Sequence, residues 1–200
     1  MKYSPKEIKI ILASQSKVRK EILDKNNINC IVERSNIDED LIKKSLLNEG
    51  ASPEIISKNL AELKANKVSE KKSGEIVLGA DSVIDLGGEI ISKPKNRDEA
   101  LENLKKLNGK KHYLISSVSI SKNGSMIWNH TDKAELTMKD FTEEELKGYL
   151  SKIPDEKLYA YNVYQIEGKG RSLFSKIKGD ENTIMGLPID KIKEYLQNYE

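Results

Sequence analysis

The sequence predicts an α/β fold in which helices flank a mixed β-sheet, with an α+β arrangement as the alternative. Apolar strand-like runs such as Ile76–Leu86 alternate with segments of helical periodicity, while Gly87-Gly88 and Asn123-Gly124 mark two tight hairpins. Hairpins pair strands antiparallel and helical crossovers connect parallel strands, so the sheet should contain both kinds of pairing. Long hairpins and terminal helices further predict two lobes with a cleft between them.

Five elements are predicted before the first hairpin. They are a strand over residues 9–14, a helix over 16–26, a strand over 30–34, a helix over 53–70 and the strand Ile76–Leu86. The first helix is indicated by the helical spacing of Val18, Ile22 and Leu23. Ser52 followed by Pro53 is typical of an N-cap and first helical position.

Six elements are predicted after that hairpin, with an irregular stretch after Pro154. They are strands over residues 89–94, 113–121 and 125–138, and helices over 97–107, 143–153 and 189–199. Two of these helices begin with a capping-box pattern, in which a polar residue is followed three positions later by Glu. The Tyr-rich stretch over 159–164 is predicted to be core in preference to an interface.

The composition excludes several classes of protein. The 200 residues suit one domain or two closely packed lobes, and 37% hydrophobic with 33% charged residues excludes a membrane or disordered protein. A net charge of +2 argues against a protein that coats nucleic acid, so neither nucleic acid nor a membrane is an expected partner.

Cysteine and histidine usage limits the redox setting and the metals. Cys30 is the single cysteine, so no intrachain disulfide forms, and a reduced cytoplasmic location is expected. The apolar run over residues 8–13 is too short for a signal peptide core or a membrane span. With only two histidines, any metal should be a hard cation held by oxygen atoms.

The segment ASQSKVRK places polar groups where a strand ends and a helix begins. Free backbone N–H groups at the helix start, with Ser14, Ser16 and the cation Arg19, would form a phosphate cradle. The alternative is an ordinary serine N-cap beside a surface arginine, and this motif alone favours capping.

Asp81 interrupts an otherwise apolar strand, where an ionised carboxylate is costly unless it is paired or bound to a metal. Lys64, within an apolar helical face, and Lys93, after the hairpin, are the candidate partners. Spacing alone leaves a structural salt bridge and a functional site equally open.

Two further acidic positions have competing interpretations. Glu39 lies in an acidic cluster that is either a solvated turn, which is favoured, or a second oxygen ligand for Mg²⁺ beside Asp81. Glu167 precedes a weak Gly-x-Gly pattern, and its carboxylate offers two acceptors for the N1–H and N2–H₂ edge of guanine.

Taken in order, LASQSKVRKEIL, LAELKA, LGADSVIDLGGEIISKP, LNGKKH and GDENTIMGLP resemble signature blocks of the Maf family of nucleoside triphosphate pyrophosphatases. The resemblance covers residues 10–196 and implies a single domain over 1–200. It implies an elongated fold related to inosine triphosphate pyrophosphatases, with two lobes around a cleft, and a possible homodimer. The implied reaction hydrolyses the α–β phosphoanhydride of a nucleotide to the monophosphate and pyrophosphate, with a divalent cation such as Mg²⁺ or Mn²⁺.

The resemblance also assigns roles to individual residues. Asp81 matches the catalytic aspartate and, with Glu39, a metal position, while the phosphate-site positions match Ser14, Arg19, Lys64 and Lys93. Three positions associated with nucleobase choice depart from the pyrimidine-type pattern of Arg, Thr and Gln, and they are Val18, Ser82 and Glu167. Glu167 resembles the branch acting on 7-methyl-GTP, although that branch has a tryptophan in place of Val18.

Two other functions stay open at this stage. One is a purine pyrophosphatase acting on ITP or XTP, as the related fold does. The other is a non-catalytic nucleotide-binding regulator of cell division, since the Maf family is also linked to septum formation. The presence of Asp81, Lys64 and Lys93 together argues against the second.

Overall fold

A computed structural model describes residues 9–160 and 163–199. Its seven strands are β1 (Ile10–Leu12), β2 (Cys30–Val32), β3 (Ile76–Leu86), β4 (Glu89–Ile91), β5 (Lys111–Lys122), β6 (Ser125–Met138) and β7 (Phe174–Lys178). The helices are α1 (Lys17–Lys25), α2 (Glu39–Asn48), α3 (Pro53–Ser69), α4 (Arg97–Leu107), α5 (Glu143–Leu150), α6 (Asp155–Ala160), α7 (Glu181–Ile184) and α8 (Ile189–Asn198). A 3₁₀ helix spans Lys169–Leu173.

The strands form one mixed sheet in the order β2-β1-β3-β5-β6-β7, with β4 paired to β3. β1 runs parallel to β2 and β3, whereas every other pairing is antiparallel. Both predicted hairpins are present, and Gly87, Gly88, Asn123 and Gly124 all have positive φ angles, as the tightest hairpin turns require. The predicted α/β class with a mixed sheet is therefore confirmed.

The two larger of three hydrophobic cores among the described residues lie in different lobes, and the third is a small cluster between β1, α3 and β3. One of the larger cores joins β1, α1 and α8, and the other joins α4, α5, β7 and the distal half of β6. β3 serves both, because Leu78 and Ala80 belong to the first core and Ile84 to the second. Asp81 thus lies on β3 at the boundary between the lobes.

Helix α3 packs unusually closely on β3 because of Gly79. A Cβ atom at this position would collide with the carbonyl oxygen of Ala61 and lie 2.8 Å from the nitrogen of Ala65. Only glycine allows this approach, which places the third turn of α3, with Lys64, over the middle of β3.

Several elements differ from the sequence-based predictions. Helix α2 was not predicted, because the acidic residues at its start were interpreted as a solvated turn. The stretch after Pro154, predicted to be irregular, contains α6, β7 and α7. The capping box of α5 is complete, but in α4 Glu99 binds the N–H of Lys95 in place of that of Asn96.

The Tyr-rich stretch contributes to the second core. Tyr164 is buried in the second core and Tyr159 packs against it, whereas Tyr161 and Asn162 lie outside the described residues. Among the described residues, no helix has the length and apolar character needed to cross a bilayer.

Candidate active site

Asp81 and Lys64 form a buried ion pair at the boundary between the lobes. The Asp81 side chain comes from β3, and its Oδ1 accepts a 2.9 Å hydrogen bond from Lys64 Nζ of α3. Both residues are almost inaccessible, at 4% and 6% relative exposure. Asp81 Oδ2 is buried and has no hydrogen-bond partner among the described residues, so half of the carboxylate is uncommitted.

Glu39 is the third member of this cluster. The sequence had suggested Lys93 as the residue that joins Asp81 and Lys64. Its Oε2 lies 2.9 Å from Lys64 Nζ, so one ammonium group joins two carboxylates. Burial on its own raises the pKa of the Glu39 carboxyl. The positive charges of Lys64, Lys43 and Lys93 outweigh that effect and lower this pKa below its ordinary value. Glu39 is therefore held in its ionised form.

Lys93 stands at the exposed side of the same cluster. Desolvation is the main cause of its lowered pKa, and the neighbouring charges of Arg19, Lys43 and Lys64 lower it further, against the opposing effect of Glu39. Lys93 forms no ion pair with Asp81 among the described residues. A salt bridge that joins Lys93 to Asp81, which the sequence left open, is therefore not present there. Its ammonium group is thus near the Glu39 carboxylate without forming an ion pair with it.

Arg19 is fixed by four hydrogen bonds within the protein. Nε donates to the carbonyl oxygen of Gly186 at 2.9 Å, and Nη1 donates to Ser14 Oγ at 3.1 Å and to the carbonyl oxygen of Ala80 at 3.0 Å. Nη2 donates to Ser82 Oγ at 3.1 Å. Burial lowers the pKa of Arg19, although Asp81 and Glu39 oppose this. The guanidinium therefore joins α1, β3 and the turn after α7.

The serines before α1 serve the helix start as well as the site. Ser16 is the N-cap, and its Oγ accepts from the backbone N–H of Arg19. Ser14 Oγ accepts from the N–H of Ser16 and from Arg19 Nη1, which leaves its own hydroxyl hydrogen available. The N–H groups of Lys17 and Val18 have no partner within the helix. Capping and a phosphate cradle are consequently compatible at this position.

A chain of hydroxyl groups extends from Arg19 into the second lobe. Ser82 Oγ lies 2.8 Å from Ser116 Oγ, which donates to the carbonyl oxygen of Thr183 at 2.7 Å. Thr183 Oγ1 in turn donates to Asp132 Oδ2 at 2.9 Å. Ser82 was identified from the sequence, but Ser116, Asp132 and Thr183 were not. Strand register aligns Ser82 with Ser116 and Asp132, and α7 brings Thr183 to them.

The other two proposed specificity residues lie in different surroundings. Val18 is buried at 9% exposure in the first hydrophobic core. Glu167 is exposed, and its Oε1 accepts from Gln165 Nε2 at 3.2 Å. Two surface cavities, of about 330 Å³ and 880 Å³, lie beside Tyr149 and Lys152, and neither is lined by Asp81.

The cluster fits a divalent cation that binds together with a substrate. No group of three or more potential His, Cys, Asp or Glu ligands occurs in the part of the chain that the structure describes, so a metal cage made by the protein alone is not present there. Asp81 Oδ2 and the partly exposed Glu39 carboxylate offer two oxygen ligands within reach of one ammonium group. Mg²⁺ is commonly bound in this way, by one or two carboxylates plus substrate phosphates.

Comparison with known proteins identifies a family and several relatives. A family model described as Maf-like protein matches residues 9–199. A nucleoside triphosphate pyrophosphatase of Pelagibacter ubique (strain HTCC1062) is 71% identical over 188 residues, covering 94% of this chain and 96% of the relative. A 7-methyl-GTP pyrophosphatase of Brucella abortus biovar 1 (strain 9-941) is 38% identical over 182 residues, covering 91% and 92%. A solved HAM1 protein from Coxiella burnetii has a TM-score of 0.44 at 15% identity, covering 66% of this chain and 73% of that one.

Proposed function

Because the chain belongs to the Maf-like protein family, we propose that it is a nucleoside triphosphate pyrophosphatase, a hydrolase acting on acid anhydrides. Water cleaves the α–β phosphoanhydride, and the products are a nucleoside monophosphate and pyrophosphate. The observation that carries this proposal is the buried Asp81 with its uncommitted Oδ2, surrounded by cations at the boundary between two lobes.

The substrate's charge explains the composition of the site. A triphosphate carries about four negative charges near neutral pH, which repel an attacking water unless the site neutralises them. Lys93, the exposed lysine of the cluster, is the clearest phosphate ligand, and the α1 amino end with the Ser14 hydroxyl supplies further donors. Arg19 keeps one of its five N–H groups for a phosphate oxygen, so its main contribution is to hold Ser14 and Ser82 in place.

Asp81 acts on the attacking water. Its Oδ1 is held by Lys64, which fixes the orientation of the carboxylate and leaves Oδ2 to accept the proton or the hydrogen bond of the water. Mg²⁺ or Mn²⁺, bound by Asp81 and Glu39, would lower the pKa of the water and offset phosphate charge. Lys64 also keeps two carboxylates close together without mutual repulsion.

Nucleobase choice is proposed to depend on Glu167, with Ser82 and Val18. A carboxylate accepts two hydrogen bonds, which suits the N1–H and N2–H₂ groups of a guanine-type base and offers no donor to a pyrimidine carbonyl. A relative that shares 38% of its residues with this chain is named a 7-methyl-GTP pyrophosphatase. We therefore infer a modified guanine nucleotide as the first substrate to test.

The test is an assay of pyrophosphate release from canonical, methylated and deaminated triphosphates, with Mg²⁺ or Mn²⁺ and after chelation. We expect equimolar monophosphate and pyrophosphate with a guanine-type substrate, and loss of activity in EDTA. Preference for ITP or XTP would support the purine alternative. Absence of turnover with every nucleotide and metal would overturn the proposal in favour of a non-catalytic regulator of cell division.

A further inference from the structure

The cations of the site differ in how many donors they have left for a substrate. Arg19 uses four N–H groups on Ser14, Ala80, Ser82 and Gly186. Lys64 directs two of its three N–H groups at Asp81 and Glu39. Arg19 therefore keeps its charge but has one free N–H group, whereas the charge of Lys64 is shared with two carboxylates, so further phosphate donors must be found elsewhere.

Lys43 lies on α2, one helical turn after Glu39. Residues four apart on a helix lie on the same face, so Lys43 faces the side on which Glu39 reaches Lys64. Its side chain is half-buried, and it forms no hydrogen bond or ion pair within residues 9–160 and 163–199. A half-buried lysine with no counter-ion and three free N–H donors has the properties of a binding residue.

The electrostatic effects of Lys43 agree with a position near Glu39 and Lys93. The charge of Lys43 contributes to the lowered pKa of Glu39 and to the lowered pKa of Lys93, although desolvation is the largest single effect on both groups. Lys43 and Lys93 therefore act on the same small region, one from α2 and the other from the segment after β4.

We propose that Lys43 is a phosphate-binding residue, which contacts the triphosphate of the substrate together with Lys93. This inference rests on the proposed function and extends its substrate site to α2. Helix α2 has no fully buried residue, and its first turns bring Glu39 and Lys43 to the site. Phosphate binding by two uncommitted lysines compensates for the donors that Arg19 and Lys64 spend within the protein.

Lys44 provides a matched control. It is the next residue on the same helix, it is exposed, and successive residues on a helix point about 100° apart. Lys43→Gln and Lys44→Gln therefore remove the same charge from the same helix, but only the first removes it from the proposed site. Lys43→Arg keeps the charge. Because neither lysine is in the core, all three variants should match the thermal stability of the wild type.

The experiment measures binding of inorganic tripolyphosphate by calorimetry at low ionic strength. We expect about a tenfold weaker Kd for Lys43→Gln, a change within about twofold for Lys44→Gln, and near wild-type binding for Lys43→Arg. Equal effects of the two glutamine variants would show a general charge effect and would overturn the proposal, as would an unchanged Kd for Lys43→Gln.

Steady-state kinetics separates this inference from the proposed function. Lys43→Gln should raise KM for the preferred nucleotide by about tenfold with a smaller change in kcat, since the residue contacts phosphate and not the attacking water. Active wild-type enzyme with no Lys43 effect on Kd or KM would refute the role of Lys43 alone. Lys43-dependent tripolyphosphate binding by a protein that hydrolyses no nucleotide would instead refute the proposed function.

Discussion

Lys64 Nζ lies 2.9 Å from Asp81 Oδ1, and both side chains are almost completely removed from solvent. The same ammonium group is shared with Glu39. Burying the charges of Lys64 and Asp81 is tolerable only when they are close, since an unpaired buried charge costs several kcal/mol. The ion pair with Lys64 therefore both stabilises the buried Asp81 and fixes the orientation of its carboxylate.

Asp81→Asn should leave the fold intact and lower kcat by about 10²–10⁴-fold, because an amide cannot accept a proton from water. The measurement is pyrophosphate release at saturating nucleotide, with circular dichroism as a check on folding. Asp85→Asn is the matched control on the same strand, since Asp85 binds the hairpin N–H of Gly88 and lies outside the site. Near wild-type turnover of Asp81→Asn would contradict the mechanism.

Lys64→Met should destabilise the protein by about 3 kcal/mol, because it leaves Asp81 buried without its counter-ion. Adding Asp81→Asn removes the unpaired negative charge, so the double variant should recover part of the lost free energy of unfolding. The measurement is a double-mutant cycle of urea unfolding. Additive free energies of unfolding would mean that the two side chains do not interact as the structure indicates.

His112 should make stability depend on pH. It is buried beside Tyr164, and burial lowers its pKa from 6.5 to about 4. Between these values the unfolded chain binds a proton that the folded protein does not, so the free energy of unfolding decreases as pH falls. The full effect of this group at pH 4 and below is about 3 kcal/mol.

The check is urea unfolding of wild type and His112→Phe from pH 7.5 to 4. The variant should lose this part of the pH dependence, whatever its absolute stability. His130→Phe, which alters the histidine stacked on Trp128, should keep it. Identical pH profiles for wild type and His112→Phe would contradict the prediction.

Glu167→Gln should change the ranking of nucleobases more than the maximum rate. Glutamine replaces one acceptor by a donor, so kcat/KM for guanine-type substrates should fall about tenfold relative to UTP and dTTP. Competition assays with paired nucleotides measure the ratio directly. Glu144→Gln, at an exposed position on α5, is the control. An unchanged ranking would remove Glu167 from the specificity site.

Much of the fold was predictable because its signals are local. The hairpins at Gly87 and Asn123 and the starts of α3 and α5 depend on backbone conformations and caps that a few neighbouring residues determine. Helix α2 was missed because its acidic start resembles a solvated turn, and strand β7 was missed because it is short and fully buries only Phe174. Their positions depend on contacts with distant parts of the chain.

The residue types of the site and the turns around them can be identified from the sequence, including the isolated carboxylate of Asp81 and the hairpin before Lys93. The pairing of these groups with one another follows only from the fold. Glu39, not Lys93, shares Lys64 with Asp81, and Arg19 spends most of its donors within the protein. The reason is physical: ion pairs and hydrogen bonds act over a few ångströms, and these partners are far apart in sequence.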